Sequence, residues 1–395
     1  MPKEAKGEVD TAMALSMGSV EGQPVCYKRL VVKLGTNLLT AGTDRLDLEV
    51  MASLVGQIAR LHQRKLEVIV VTSGAIAAGR HRLGLARERL KGIPYRQVLA
   101  SVGQSRLMYA YDQLFSWHGI TIAQTLLTRA DLSDRQGYLN ARNTLLALME
   151  LGVIAIVNEN DVVAVDEIKE AKFGDNDNLS AMVANLVDAD LLVMLGDVAG
   201  LYTADPHKDP HARLIPRVEH IDVDIERLAR GTSSEQGIGG MVTKVQAAKL
   251  ATASGVAVVI ADGRERDVLV RLVEGEVLGT FFVPVATKRE SRERWLLSGL
   301  ASRGKLVLDA GAVVALREQN RSLLPAGILG VEGDFERGDT VEVVDTRGER
   351  MAVGICNYSA ADVRAIKGLR SDRIEERLGY QYGSEVVHRN NLVVV

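Results

Sequence analysis

Residues 29–36 read RLVVKLGT, and they are the most informative part of the sequence for the class of fold. It is an apolar run that contains one lysine, Lys33, and that ends at Gly35. Short continuous apolar runs are typical of strands that are covered by helices on both faces. The stretch therefore predicts a buried strand. An ammonium group in such a strand needs a charged partner to offset its desolvation, so Lys33 is a candidate functional residue.

The same pattern returns along the following two hundred or so residues, with strands alternating with helices. Further strands are predicted at 68–71, 153–157, 191–195 and 256–260. Residues 47–63 repeat apolar side chains at helical spacing, and residues 134–151 predict a helix that ends at Gly152, a glycine suited to a left-handed cap. This alternation predicts an α/β fold, a three-layer sandwich around a mainly parallel sheet, in which ligands bind beyond the carboxyl ends of the strands.

The pattern divides the chain into four parts. Residues 1–27 have mixed charge at their start and no secretion signal, so we expect a mobile extra tail. Residues 28–285 form the α/β domain, and residues 286–303 are a polar linker with some helix. Residues 304–395 predict a small, mainly β domain. Its strands are expected at 305–308, 340–344 and 351–355.

Composition excludes several classes of protein. The formal net charge is −3, which gives no reason to expect nucleic acid or a membrane as a partner. The two cysteines are far apart in the sequence, so a disulfide framework is not expected. No apolar run is long enough to span a membrane. These features predict a cytoplasmic protein.

The usual phosphate-binding loops are missing. The nearest approach to a P-loop is Gly299 followed by Gly304 and Lys305, but Leu306 lacks the hydroxyl that would bind magnesium. No dinucleotide fingerprint follows a strand either. A nucleotide would therefore have to be held by other glycines and lysines.

Polar and glycine-rich segments follow successive predicted strands instead. They include Ser73-Gly74, Asn158 to Asp161, Asp175-Asn176-Asp177, Gly196-Asp197 and the loop from Gly237 to Lys244. Taken singly, Ser73 and Asp175 could be helix caps and Asp161 could close a turn. Their recurrence at strand ends favours one shared site, with backbone N–H groups and lysines ready to hold phosphate.

In this order, the segments resemble the glutamate 5-kinases of the amino acid kinase family over residues 29–262. Residues 322–328 resemble part of a PUA domain, the usual C-terminal appendage of these enzymes. The resemblance implies the amino acid kinase fold and transfer of phosphate from magnesium-bound ATP to the side-chain carboxylate of L-glutamate, the first step of proline biosynthesis. It also implies feedback inhibition by proline and a homo-oligomer, either a dimer or a tetramer.

The resemblance also assigns roles, position by position, with no direct protein ligand to the metal. The catalytic residues would be Lys33, Lys244 and Asp177. Glutamate would be bound by Ser73, Gly74, Asn158, Asp161, Asp175 and Asn176. The nucleotide would be bound by Lys33, Gly196, Asp197, Ile238, Gly239, Gly240, Met241, Val242, Thr243 and Lys244.

Two positions depart from related kinases. Gly196 stands where the family commonly has Ser or Thr, so we expect altered affinity for ATP. Thr36 replaces a second glycine that is usual in aspartate and acetylglutamate kinases, which favours glutamate as the substrate.

Three other functions remain open from the sequence. The first is a sister kinase with another acceptor, and the second is an RNA-binding protein that acts through the PUA domain. Residues 304–395 carry 12 basic and 14 acidic side chains, which lacks the basic surface expected of strong RNA binding. We therefore expect a structural or oligomerisation role for this domain. The third, a catalytically dead regulator, is disfavoured because both lysines and the acidic cluster are present.

Overall fold

A computed structural model describes residues 19–20, 23–24, 27–85, 92–164, 176–206, 208–231, 240–285, 302–319 and 321–394. Within the predicted tail, Ser19–Val20 (β1) pairs antiparallel with Gln23–Pro24 (β2). Residues 1–18 of that tail and 286–301 of the predicted linker lie outside the described residues. The proposed division into four parts therefore stays a prediction.

An eight-stranded sheet forms the centre of the first domain. Its strands are Arg29–Leu34 (β3), Glu67–Val71 (β4), Ile122–Leu127 (β5), Ile154–Glu159 (β6), Leu191–Gly196 (β7), Arg217–Val218 (β8), Ala257–Asp262 (β9) and Thr280–Phe282 (β10). Their order is β5-β6-β4-β3-β7-β9-β10-β8. The first six strands in this order, β5, β6, β4, β3, β7 and β9, are parallel to one another, whereas β10 runs antiparallel to β9. The predicted α/β class with a mainly parallel sheet is confirmed.

Helices cover both faces of this sheet and make the three predicted layers. One face carries Thr36–Leu39, Leu48–Gln63, Ala75–Leu83, Ile93–Ser116 and Val268–Val273. The other carries Arg129–Ser133, Arg135–Glu150, Asp177–Leu186, Val223–Gly231 and Met241–Ala253. Each helical layer buries its own apolar cluster against the sheet. Among the described residues, no helix has both the length and the apolarity needed to cross a membrane.

Alternation along β3 places the lysine on one particular face. Leu30, Val32 and Leu34 belong to the first apolar cluster, and Val31 belongs to the second. Because successive side chains of a strand point to opposite faces, Lys33 shares the face of Val31. It therefore lies on the side covered by the helices that begin at Asp177 and Met241.

The second domain is built around a five-stranded sheet. Its strands are Gly304–Leu308 (β11), Ile328–Gly333 (β12), Thr340–Val344 (β13), Arg350–Ile355 (β14) and Leu392–Val394 (β15), in the order β12-β11-β13-β14-β15. Its helices are Ala310–Arg317, Ala360–Ile366 and Ile374–Leu378, with short 3-10 turns at Pro325–Gly327, Ser371–Arg373 and Arg389–Asn391. The three predicted strands are present; β12 and β15 were not predicted.

The long helix before β6 connects the two domains by direct contact. Leu139 is fully buried in a small cluster with Ile355 and Val393 of the second domain. Nearby, the guanidinium of Arg135 lies 3.5 Å from the carboxylate of Asp339. The second domain is thus packed on the helix that leads into a strand of the candidate site.

Candidate active site

Three charged side chains meet inside the first domain. Nζ of Lys33 lies 2.7 Å from Oδ1 of Asp177, and Nζ of Lys244 lies 3.2 Å from Oδ2 of the same carboxylate. Lys33 and Asp177 are fully buried, and Lys244 is 6% exposed. The two lysines are more than two hundred residues apart in sequence. The structure therefore places side by side the three residues to which the resemblance assigns a catalytic role.

The fold explains why these residues converge. Asp177 begins the helix Asp177–Leu186, and Lys244 lies in the first turn of Met241–Ala253. Both helices start at the carboxyl edge of the sheet, where β3 also ends. In addition to the two lysines, the hydroxyl of Thr243 donates to Oδ2 of Asp177 at 2.7 Å and helps to hold the carboxylate in place. The N-termini of these two helices make the same region favourable for anions.

The electrostatics of this cluster keep the carboxyl group ionised. Burial alone would raise the pKa of Asp177, but the charges of Lys244 and Lys33 and the hydrogen bonds from Lys33 and Thr243 lower this pKa to about 2. One carboxylate accordingly stands between two ammonium groups. Two ammonium groups therefore lie close together at one point of the sheet edge, an arrangement that suits the binding of phosphate oxygens.

A chain of side-chain amides lies beside this cluster. Nδ2 of Asn176 donates to the backbone carbonyl of Thr72 and, at 2.6 Å, to Oδ1 of Asn158. It also lies 3.4 Å from the hydroxyl oxygen of Ser73. Nδ2 of Asn158 donates to Oε1 of Gln104 at 2.7 Å. Three predicted glutamate-binding residues, from three separate segments, are thus brought together.

The predicted nucleotide residues at the end of β7 lie near the same lysine. Gly196 is buried, and a Cβ built on it would lie 3.5 Å from Cε of Lys244. Asp197 is exposed, and its Oδ2 accepts from Nδ2 of Asn37 at 3.2 Å. The backbone carbonyl of Asp197 accepts from the guanidinium of Arg264 at 2.7 Å. This edge is therefore lined by polar groups from three strand ends.

The other predicted site residues lie in turns, at helix starts or outside the described residues. Gly74 has a φ of +100° and precedes the helix Ala75–Leu83, so its backbone conformation favours glycine. Asp161 is half-buried in the turn after β6. Gly240 precedes the helix of Lys244, whose first residues, Met241 and Val242, pack on the apolar cluster of that face. Asp175, Ile238 and Gly239 lie outside the described residues.

Several polar residues of this region were not predicted from the sequence. Gln104 and Tyr111 belong to the helix Ile93–Ser116, and the hydroxyl of Tyr111 lies 2.7 Å from Oγ1 of Thr72. Arg264 follows β9 and also pairs with Asp262. Residues inside a long helix can be recognised as functional only once the fold shows which of them face the site. A polar group directly after a strand, such as Arg264, could have been found by position.

Fold and site together define a class: an α/β protein in which lysines and helix starts gather at the carboxyl ends of parallel strands, an arrangement that suits anionic ligands. The chain belongs to the amino acid kinase family, whose model matches residues 28–262. A PUA domain model matches residues 304–378.

Proteins similar to this chain align with it over nearly its whole length. The glutamate 5-kinase of Dehalococcoides mccartyi is 60% identical over 370 residues, which cover 94% of this chain and 99% of that protein. The glutamate 5-kinase of Herpetosiphon aurantiacus is 53% identical, with 93% and 98% covered. Among solved structures, a UMP kinase from Bacillus anthracis aligns with a TM-score of 0.45 and 16% identity over 66% of this chain and 97% of that chain.

Proposed function

We propose that this protein transfers the terminal phosphate of ATP to the side-chain carboxylate of L-glutamate, giving γ-glutamyl phosphate, the first step of proline biosynthesis. The observation that carries the proposal is the match of more than nine-tenths of the chain, across both domains, to glutamate 5-kinases at 60% and 53% identity. The geometry of the Lys33–Asp177–Lys244 cluster supports it.

The chemistry needs little from the protein except positioning and positive charge. A glutamate carboxyl group has an ordinary pKa of about 4.3, so at neutral pH it is already the nucleophile and needs no general base. A γ-carboxylate oxygen attacks the terminal phosphorus, the bond to the bridging oxygen breaks, and ADP leaves with the electron pair. The main obstacle is the repulsion between the two anions.

The two lysines reduce this repulsion. We assign Lys33 and Lys244 to the oxygens of the transferred phosphoryl group, and Asp177 to holding both ammonium groups in place. Magnesium enters with the substrate, bound to the phosphates of ATP, where it neutralises further negative charge. Because Asp177 pairs with both lysines at once, it fixes the distance between them before substrate binds.

The two substrates are assigned to neighbouring parts of the same edge. Ser73, Asn158 and Asn176, which lie in one hydrogen-bonded group, are proposed to bind glutamate together with Gly74, Asp161 and Asp175. ATP is proposed to contact Gly196, Asp197 and the segment from Ile238 to Lys244. The proximity of Gly196 to Lys244 supports this division, since Lys244 would stand between the two substrates.

A direct assay tests the proposal. The purified full-length protein is incubated with ATP, magnesium and L-glutamate, and the acyl phosphate is trapped with hydroxylamine. We expect a hydroxamate with glutamate and little with aspartate, acetylglutamate or UMP as acceptor. Product from one of these other acceptors, and none from glutamate, would assign the chain to a sister kinase.

Regulation and assembly are part of the same proposal. The family resemblance supports feedback inhibition by proline and a homo-oligomer, either a dimer or a tetramer. Adding proline to the hydroxamate assay tests the first, and light scattering after size-exclusion chromatography tests the second. The use of ATP and glutamate supports a cytoplasmic setting.

We propose no RNA-binding role for the PUA domain. Its acidic and basic side chains nearly balance, and its contact with Leu139 and Arg135 supports a structural role instead. A gel shift with bulk RNA at several salt concentrations checks this. Binding that weakens steeply with salt would contradict it.

A further inference from the structure

We propose that the side-chain amide of Gln104 binds the α-carboxylate of glutamate and so helps to select the acceptor. This inference rests on the proposed function and extends it to a residue that the family resemblance did not assign. It follows from the direction of a hydrogen-bond chain that ends at Gln104.

The direction of the chain is fixed by a backbone group. The carbonyl of Thr72 can only accept, so the side-chain atom of Asn176 that faces it must be the N–H donor Nδ2. The same Nδ2 lies 2.6 Å from Asn158, which must therefore present its oxygen. Nδ2 of Asn158 then faces Gln104, which must present Oε1, at 2.7 Å.

This order leaves one donor at the end of the chain. Nε2 of Gln104 is buried and has no hydrogen-bond acceptor among the residues that the structure describes. Flipping the amide would place two donors against each other at Asn158, so the network itself holds Nε2 in this position. A buried donor without an acceptor is unfavourable, and a ligand that supplies an oxygen would relieve it.

The helix that carries Gln104 is held rigidly against the site. A Cβ added to Gly103 would lie 1.8 Å from the carbonyl oxygen of Ala75, and one added to Gly79 would lie 1.9 Å from that of Leu99. The helices Ile93–Ser116 and Ala75–Leu83 therefore touch backbone to backbone. The buried contact of Tyr111 with Thr72 fixes the same helix further along.

The chemistry of the donor identifies the part of the substrate it binds. An N–H group cannot bind the α-ammonium group, so its partner is a carboxylate oxygen. The γ-carboxylate must face Lys33 and Lys244, which flank Asp177. The chain of hydrogen bonds begins at Asn176, the sequence neighbour of Asp177, and Gln104 lies at its other end. The α-carboxylate is the group left for Gln104.

The alternative explanation is that Gln104 only supports Asn158, and two substitutions separate the explanations. Gln104→Glu keeps an oxygen to accept from Asn158 but replaces the donor with a second, negatively charged oxygen. Gln104→Met removes both. If the donor binds the α-carboxylate, KM for glutamate should rise about tenfold to a hundredfold in the Met variant. KM for glutamate should rise more in the Glu variant, because the new carboxylate repels the α-carboxylate of the substrate. KM for ATP should change less than about threefold in both variants.

The experiment measures kcat and both KM values by hydroxamate formation for the wild type, the two variants and Gln113→Met, an exposed glutamine of the same helix that serves as control. Thermal unfolding of each variant checks that the fold is kept. A Glu variant with a KM for glutamate near that of the wild type would overturn the inference and leave the support role. A wild-type enzyme without activity on glutamate would instead refute the proposed function, and the inference with it.

Discussion

The substitution Asp177→Asn is the sharpest test of the charged cluster. It keeps the size of the side chain and an oxygen that can accept from Thr243, but it removes the negative charge between Lys33 and Lys244. Two buried ammonium groups would then lie close to each other without the carboxylate of Asp177 between them. We expect loss of stability and loss of turnover together.

The structure sets the magnitude of the effect on stability. The pKa of Asp177 is lowered to about 2, against an ordinary value of about 3.9, and this difference corresponds to about 2–3 kcal/mol. Removing one partner of a buried ion pair typically costs about 3–5 kcal/mol. We therefore expect the free energy of unfolding at pH 7 to fall by about 3 kcal/mol. The kcat should fall about a hundredfold or more, because the lysines lose their fixed positions.

Urea unfolding followed by circular dichroism measures the first effect, and the hydroxamate assay measures the second. Asp224→Asn is the matched control, because Asp224 is 77% exposed and pairs only at the surface with Arg227. It should change the free energy of unfolding by less than about 0.5 kcal/mol. The double variant Asp177→Asn/Lys33→Met also removes one of the two ammonium groups and with it their mutual repulsion, so it should recover part of the stability and none of the activity.

The pH dependence has a defined sign. A carboxyl group with a lowered pKa stabilises the folded state above its unfolded pKa, about 3.9, and loses this contribution as the pH falls through its folded pKa. The difference in stability between wild type and Asp177→Asn should therefore be constant from about pH 6 to 8 and should shrink between about pH 4 and 2, where the carboxyl group of Asp177 is protonated.

Two results would refute this reasoning. If Asp177→Asn unfolds at the same urea concentration as the wild type, the carboxylate does not hold the two ammonium groups. If stability falls but kcat stays near the wild-type value, the cluster is structural and the roles assigned to both lysines are wrong.

Three further outcomes are expected. Lys244→Ala should lower kcat by orders of magnitude while the protein stays folded, whereas Lys249→Ala, an exposed position of the same helix, should leave the rate of hydroxamate formation nearly unchanged. Gly196→Ser should fit, because its Cβ would lie at 3.5 Å from Lys244, and the added hydroxyl should lower KM for ATP a few-fold in initial-rate measurements; a raised KM would contradict the assigned nucleotide contact. Leu139→Ala should lower the free energy of unfolding by about 2–5 kcal/mol in urea titrations, because it opens a cavity between the domains. An unchanged urea midpoint would mean that this contact is not maintained in solution.

The centre of the sheet could be predicted from local pattern, and its edges could not. The strands β3, β4, β6, β7 and β9 are continuous apolar runs because helices cover both of their faces. The edge strand β5 includes Gln124 and Thr125, and β10 and β8 are only three and two residues long. Such segments pair because neighbouring strands lie beside them, and this information is not local.

The candidate site shows the same division. Residue type and spacing are enough to predict the buried strand of Lys33, the need of its ammonium group for a negative partner, and the polar segments after successive strands. The folded arrangement was needed to show that Asp177 is the partner, that Lys244 shares it, and that Gln104 completes an amide chain from a distant helix. The physical reason is that a period of two or of 3.6 residues fixes the face on which a side chain lies, whereas the packing of the elements decides which faces meet.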